Sequence, residues 1–179
     1  MSEKELVSGC IRENRQCQQE VFRRYAGKML SVCRRYTRHR MEAEDVLQDA
    51  FIKVFDNIAQ FKFNGSLEAW IRRIVVNTAL KNYQRKSFRE EQLGLDPEVV
   101  DLPTEPSIFA HLHEEELLNL IAQLPDGYRI VFNLYAIEGY SHREIAETLG
   151  IEVGTSRSQL LKARKWLQAR VLSMQKIAV

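Results

Sequence analysis

The sequence predicts an all-α protein of two small helical domains joined by an acidic linker, the C-terminal domain being a helix-turn-helix. Three observations support this prediction. Apolar residues recur at three- and four-residue spacing in both halves, and no stretch alternates as a strand would. This periodicity fades over residues 90–113, which are acidic and carry three prolines. Near the C-terminus, a helix-capping sequence and a glycine stop enclose a short helical segment.

The composition indicates a globular protein with localised charge. Of 179 residues, 45% are hydrophobic, which is enough for packed cores and excludes a disordered chain. The net charge is only +2, but residues 23–40, 70–89 and 157–176 are basic and residues 42–56 and 90–116 are acidic. Such blocks favour interaction surfaces over a uniformly solvated coat. The N-terminus is polar and no apolar run has the length of a membrane span, so we expect a cytoplasmic protein without membrane insertion.

The cysteines give no sign of a metal site. Cys10, Cys17 and Cys33 are odd in number and lack the paired spacing of zinc ligands. Cys33 lies on an apolar helical stripe and is therefore predicted to be a buried thiol. We expect neither a metal nor another cofactor.

The N-terminal domain, predicted over residues 1–89, begins with a helix from about Gln18 to Tyr36. Its apolar residues recur at helical spacing and are predicted to face the core. They are Phe22, Tyr25, Met29, Val32, Cys33 and Tyr36.

A second helix, from about Glu42 to Ile58, has two contrasting faces. Its predicted inner stripe consists of Leu47, Ala50, Phe51, Val54 and Ile58. Its opposite face carries Asp45, Gln48, Asp49, Ile52 and Asp56. An isoleucine among carboxylates is typical of a docking surface with an apolar anchor and a polar rim. A solvated acidic face with one stray apolar residue fits the same residues equally well.

An aromatic loop and a cationic helix follow. The loop at 60–65 reads QFKFNG, and Ser66 is predicted to cap a helix that continues to about Gln84 or beyond. One face of this helix carries Trp70, Arg73, Asn77, Lys81 and Gln84. Aromatic, amide and cationic side chains on one face suit unstacked bases and phosphates. Trp70 at the edge of a protein core is the alternative interpretation.

Residues 90–113 are predicted to be the linker, and residues 114–179 the second domain. Two helices are predicted first, from Glu114 to Leu124 and from Tyr128 to Ile137, with Pro125 between them.

The helix-turn-helix is predicted from Ser141 onward. Ser141 and Glu144 have the spacing of a capping box, and Gly150 stands where a helix needs a left-handed stop. A second helix starts near Thr155 and continues toward Leu172. Its inner face carries Leu160, Ala163 and Leu167, and its outer face Ser158, Leu161, Lys162 and Lys165, with Arg157 and Arg164 beside them. A basic second helix after a tight turn is typical of a major-groove reader, although a plain helical hairpin with a basic face is the alternative.

The order of these segments resembles a bacterial RNA polymerase sigma factor. Three stretches carry the resemblance: AEDVLQDAFIKVF, then F-x4-S-x3-W-x6-NTA, then LP-x2-YR-x8-EGYSHREIAETLGI-x2-GTSRSQLLKAR. They are similar to the extracytoplasmic-function (ECF) group of the sigma-70 family, and the similarity covers about Val21 to Arg170.

The resemblance implies which surfaces meet which partners. Binding to the clamp coiled coil of the largest polymerase subunit falls on Asp45, Gln48, Asp49, Ile52 and Val54. The resemblance also implies which residues contact the promoter −10 element, as double- and single-stranded DNA: Phe61, Ser66, Trp70, Asn77, Lys81 and Arg85. Phe63 and Arg73 lie beside these residues, and we expect them to stack on bases and to bind phosphates. Reading of the −35 element falls on Thr155, Arg157, Ser158, Leu161, Lys162 and Lys165. The group is commonly controlled by anti-sigma proteins, so an anti-sigma factor is a candidate partner.

This sequence departs from the family pattern at two places. The loop reads FKFNGS where F-R-G-E/D-S is commoner, and Ser156 and Gln159 stand where valine and arginine are frequent. The bases recognised therefore do not carry over from the family.

The predicted function is that of a promoter-specificity subunit of RNA polymerase that assists promoter opening and is not an enzyme. One alternative is a stand-alone DNA-binding regulator with an N-terminal dimerisation or sensing domain. Another is a catalytic domain fused to a DNA reader, but the sequence has no glycine-rich phosphate loop, metal-ligand cluster or nucleophile–base pair of recognisable spacing.

Overall fold

The computed structural model describes the backbone of residues 1–91 and 114–177, and the side chains of residues 1–85 and 116–174. Within these ranges every regular element is helical. The chain divides into two compact units, Met1–Lys86 and Ser87–Val179. The all-α fold with two helical domains is therefore confirmed. Most of the predicted linker, from residue 92 to residue 113, lies outside the described residues.

The first unit contains four helices and one 3-10 turn. The helices are α1 Glu3–Ile11, α2 Arg15–Tyr36, α3 Arg40–Asn57 and α4 Leu67–Glu91, and the 3-10 turn is Ile58–Gln60. Helix α1 was not predicted. Ser2 and Glu5 form a capping box, in which the Glu5 N–H donates to Ser2 Oγ at 3.3 Å and the Ser2 N–H to Glu5 Oε2 at 2.7 Å.

Helix α2 confirms most of its predicted stripe and corrects one residue. Met29, Val32, Cys33 and Tyr36 are buried as predicted. Phe22, however, is 42% exposed, and Val21 is fully buried in its place. The Phe22 ring lies edge-on to Phe51, with 4.8 Å between ring centroids, and so covers the rim of the core rather than filling it.

Helices α3 and α4 supply the rest of this core. All five predicted inner residues of α3 are buried. In α4, Ile71, Val75 and Thr78 are buried. Ser66 caps α4, because its Oγ accepts from the Ala69 N–H at 3.2 Å. The Leu67 N–H donates to Glu3 Oε1 at 3.3 Å, so α1 also stabilises the start of α4.

The second unit also contains four helices within the part of the chain that the structure describes. They are α5 Glu114–Gln123, α6 Asp126–Phe132, α7 His142–Leu149 and α8 Val153–Ile177. Pro125 separates α5 from α6, and α6 continues into a π-helical turn over Asn133–Ile137. The core joins α5 to α8 and consists of Leu120, Ile121, Leu124, Ala163, Leu167 and Val171.

The helix-turn-helix has the local geometry that its sequence predicts. The capping box is present, with Ser141 N–H donating to Glu144 Oε2 at 2.8 Å and Glu144 N–H to Ser141 Oγ at 3.3 Å. Gly150 ends α7 with φ of +69°, a left-handed conformation that glycine adopts without strain. Helix α8 starts two residues before the predicted Thr155 and continues beyond Leu172. Leu160, Ala163 and Leu167 are buried as predicted.

All three cysteines are free, buried thiols. Cys33 is therefore the buried thiol that was predicted, and burial raises its pKa to about 12. Among the described residues, no group of three or more His, Cys, Asp or Glu side chains is arranged to hold a metal ion. None of the described helices is long and apolar enough to cross a membrane.

Candidate protein and nucleic-acid interfaces

The acidic face of α3 is exposed. Asp45, Gln48 and Asp49 lie on the surface, and Ile52 among them is 59% exposed. Val54 is fully buried, so the prediction that it contacts a partner is wrong. Its position three residues after Phe51 and four after Ala50 places it on the inner stripe of the helix.

The one basic residue of the 42–56 segment does not interrupt this face. Lys53 points toward α4, where its Nζ donates to Thr78 Oγ1 at 3.2 Å. The acidic face therefore presents carboxylates around an apolar side chain. Arg40, at the start of the same helix, is paired with Glu44 at 2.8 Å. Such a surface matches a basic partner with a small apolar contact.

The loop before α4 holds three aromatic rings together. Phe61 is only 7% exposed, and its ring centroid lies 4.8 Å from that of Phe63 and 5.7 Å from that of Trp70. Phe61 therefore lies beneath its two neighbours, which cover its ring. Phe63, 43% exposed, and the half-buried Trp70 are the rings that a base can reach.

The backbone at Phe63 is strained. Its φ is +57°, a left-handed conformation that costs a non-glycine residue about 1–3 kcal/mol. Gly65, with φ of +123°, completes the turn without this cost.

A groove between α3 and α4 brings together four of the eight predicted −10 residues. Its volume is about 360 Å³. Its lining residues are Lys53, Asn57, Gln60, Trp70, Arg73, Ile74, Asn77, Thr78 and Lys81. Arg85 and Ser66 are exposed but do not line it, and the Ser66 hydroxyl serves the helix cap.

The contribution of α3 to this groove was not predicted. Gln60 Nε2 donates to Asn57 Oδ1 at 2.8 Å, and Asn57 Nδ2 donates to the Lys53 carbonyl oxygen at 2.8 Å. These residues recur at three- and four-residue spacing, on a polar stripe distinct from the acidic face. That spacing is the signal for this stripe in the sequence.

The outer face of α8 is exposed much as predicted. Thr155, Arg157, Ser158 and Lys162 lie on the surface, and Leu161 is 50% exposed. Lys165 is half-buried. Ser158 Oγ donates to the Thr155 carbonyl oxygen at 3.0 Å, so this hydroxyl also has a partner in its own helix.

Three elements of the second unit meet at a cluster that sequence reasoning missed. Ser156 of α8 is fully buried, and its Oγ lies 2.9 Å from Nδ1 of His142 in α7. The His142 ring stacks on Tyr135 of the π-helical turn, with centroids 4.5 Å apart and 22° between the planes. The Arg164 guanidinium lies 5.8 Å from the centroid of Tyr135. We call these four residues the His142 cluster.

The pKa of His142 is lowered from its ordinary value of 6.5, first by burial and then by the charges of Arg157 and Arg164. The imidazole is therefore neutral at pH 7 in the protein alone. A neutral ring has one nitrogen that donates and one that accepts.

One helical unit has an exposed acidic face and a groove lined by cationic, amide and aromatic side chains, and the other has a helix-turn-helix. These are the features of a DNA-binding protein that also has a surface suited to another protein. The comparisons with known proteins agree. The family models for sigma-70 region 2 and for sigma-70, region 4 match residues 21–89 and 114–167.

Named relatives identify the group within that family. The chain is 31% identical over 160 residues to the ECF RNA polymerase sigma-E factor of Haemophilus influenzae, covering 83% of this chain and 84% of the relative. It is 32% identical over 161 residues to the ECF RNA polymerase sigma factor SigW of Bacillus subtilis, covering 82% and 84%. The sigma factor RpoE of Bartonella quintana, solved with the anti-sigma factor NepR, has a similar fold, with a TM-score of 0.52 at 23% identity over 87% of this chain and 96% of that one.

The chain belongs to the ECF sigma factors of the sigma-70 family. It is a sigma factor that binds RNA polymerase core and promoter DNA and directs transcription initiation. The alternative of a stand-alone regulator is not favoured.

Proposed function

We propose that this sigma factor binds core polymerase through the acidic face of α3, the −10 element through the α3–α4 groove, and the −35 element through α8. The observation that carries the proposal is the exposure of Ile52 between Asp49 and Asp56, on a helix whose opposite stripe is fully packed. We further propose that the chain has no catalytic activity of its own and acts in the cytoplasm, beside its polymerase.

The docking face suits the clamp coiled coil of the largest polymerase subunit. Carboxylates at the rim speed association with a basic partner and select against acidic ones. Ile52 supplies apolar area that loses water on contact. An anti-sigma factor is a candidate partner of the same protein.

The groove and the aromatic loop divide the work at the −10 element. Arg73 and Lys81 bind phosphates, a contact that weakens with salt and tolerates any sequence. Asn77 has an amide that both donates and accepts, so it reads a base edge at short range. Phe63 and Trp70 stack on bases that have left the duplex, which is worth about 1–3 kcal/mol per base. That gain offsets the few kcal/mol that extrusion of a base costs.

Helix α8 reads the −35 element from the major groove. Arg157, Ser158 and Lys162 have donors that reach base edges or phosphates, and Leu161 offers an apolar surface to a thymine methyl group. Thr155, in the first turn, lies where the N-terminal part of a recognition helix approaches the DNA.

Charge reversal on the acidic face tests the proposal. A variant that combines Asp45→Lys and Asp49→Lys should bind core at least tenfold more weakly at low salt, because it places cations against a basic partner. Its fold should be unchanged, because both side chains are exposed. The measurement is a titration of purified core polymerase without DNA.

The matched control combines Glu147→Lys and Glu152→Lys. These two residues are also exposed acids, but they belong to the second unit and are not part of the proposed docking face. The control changes the net charge by the same amount and should leave the affinity for core unchanged. Equal affinities of the two double variants for core would reject the proposed docking face.

A further inference from the structure

Ser156 and Tyr135 determine how the His142 imidazole is presented. Ser156 Oγ, buried with its residue, lies 2.9 Å from Nδ1 and fixes the rotation of the ring. Tyr135 covers one ring face at 4.5 Å. Nε2 is then the remaining hydrogen-bonding atom of a half-buried ring.

The charges around this ring favour an anionic or electron-rich ligand. Arg157 and Arg164 reach it from α8, and each lowers its pKa through its charge. Tyr135 faces it from the π-helical turn. On its own helix, Arg143 is the next residue, and the Glu144 carboxylate accepts from Ser141 N–H and Oγ at 2.8 Å.

We propose that His142 is a further DNA-binding residue at the −35 element and that Ser156 is its positioning residue. The inference rests on the proposed reading of DNA by α8, since Ser156 directly precedes Arg157 and Ser158 on that helix. The ligand is a hydrogen-bond acceptor of the DNA that Nε2–H contacts, either a phosphate oxygen or the N7 or O6 atom of a purine.

This arrangement makes the contact proton-linked. In the protein alone His142 is neutral at pH 7, because burial and two arginines disfavour the imidazolium. An acceptor that carries negative charge or a lone pair favours the protonated ring, so the pKa of His142 rises on binding. The contribution of His142 to affinity therefore grows as the pH falls from 8 toward 6.

The test compares His142→Ala, His142→Gln and Ser156→Ala with the control Ser173→Ala. Ser173 is an exposed residue of α8 whose hydroxyl donates only to the Arg170 carbonyl oxygen of its own helix, at 2.8 Å, among the bonds described for it. Each protein is assembled with core polymerase, and its affinity for a promoter that the wild-type holoenzyme binds is measured from pH 6 to pH 8.

We expect His142→Ala to weaken binding about tenfold at pH 6, in line with one good DNA contact. Ser156→Ala should weaken it about threefold, because the ring loses its fixed orientation. His142→Gln keeps a donor that does not titrate, so it should approach the wild type at pH 8 and fall behind it at pH 6. Ser173→Ala should match the wild type throughout.

A library with a randomised −35 element separates the two acceptors. A changed preference at one position for His142→Ala identifies a purine atom, whereas uniform loss with a shallower salt dependence identifies a phosphate. Either result supports the proposal. Affinity of His142→Ala and Ser156→Ala within twofold of Ser173→Ala at every pH would overturn it. Absence of promoter binding by the wild-type holoenzyme would instead reject the proposed function of the chain.

Discussion

Replacement of Ile52 with alanine removes the apolar centre of the proposed docking face. Full burial of an isoleucine side chain is worth about 1.5–3 kcal/mol relative to exposure. Since 59% of Ile52 is exposed in the protein alone, docking adds at most about 1–2 kcal/mol from this residue. Alanine keeps only Cβ, so we expect the binding free energy to fall by about 1–1.5 kcal/mol. This corresponds to a dissociation constant that is roughly fivefold to tenfold larger.

The assay is a titration of purified core polymerase with fluorescently labelled protein at fixed salt. Leu172→Ala is the matched control, because Leu172 is 42% exposed and lies on α8, outside the proposed docking face. The thermal stability of Ile52→Ala should stay close to that of the wild type, since the side chain is exposed. Wild-type affinity of Ile52→Ala for core would refute the reasoning, because a residue central to the contact would then contribute nothing.

Three further predictions concern other parts of the chain. Lys162→Ala should change preference at particular −35 positions in a binding selection, by about 1–3 kcal/mol per base if it contacts a base edge; a uniform loss would assign it to the phosphates. Phe63→Ala should bind a closed promoter normally but initiate transcription poorly. A template with a pre-melted bubble should restore transcription by Phe63→Ala more than by Asn77→Ala, because the bubble removes the cost of opening but not the need to read the base. Equal failure of both variants on duplex and bubble templates in a transcription assay would contradict this division. Arg129→Met should lower the free energy of unfolding by about 3 kcal/mol in urea denaturation. Arg129 is 2% exposed and donates to Asp126 Oδ1 at 2.6 Å, so its loss leaves that carboxylate without this partner. An unchanged free energy of unfolding would show that the ion pair is dispensable.

Helical periodicity predicted the inner faces of α3 and α8 because both helices pack one clear stripe. Every predicted inner residue of α3, from Leu47 to Ile58, is buried. The capping box at Ser141 and the stop at Gly150 were predictable because both are set by local backbone hydrogen bonds and by φ. These features depend on neighbours within four residues along the chain.

The residues that were misjudged depend on contacts that spacing does not reveal. Phe22 lies on the same helical stripe as Met29, yet it ends beside the Phe51 ring at the rim of the core. The resemblance implies that Phe61 engages the −10 element, but Phe63 and Trp70 pack against its ring. Periodicity indicates a direction around a helix or a position in a loop, but not how far a side chain lies beneath its neighbours.

The assignment of Val54 to the docking face failed for a different reason. It was carried over from the family resemblance, although its own stripe placed it in the core. The complete burial of Val54 agrees with its place on the apolar stripe of the helix and not with the partner contact that the family resemblance implies. The His142 cluster was missed because it joins residues 135, 142, 156 and 164 through tertiary contacts. The signal in the sequence is a serine at position 156, where valine is frequent in the family, and only the structure gives it a partner.

Transcription in vitro, with purified core polymerase on a library of genomic promoter fragments, tests the central claim most directly. The account predicts that core polymerase alone initiates at no defined subset of the fragments. Core polymerase with this protein should initiate from a set of promoters that share a −35 and a −10 element at fixed spacing. The variant combining Asp45→Lys and Asp49→Lys should lose this activity at protein concentrations that saturate the wild type. Transcripts that are unchanged by addition of the protein would contradict the account.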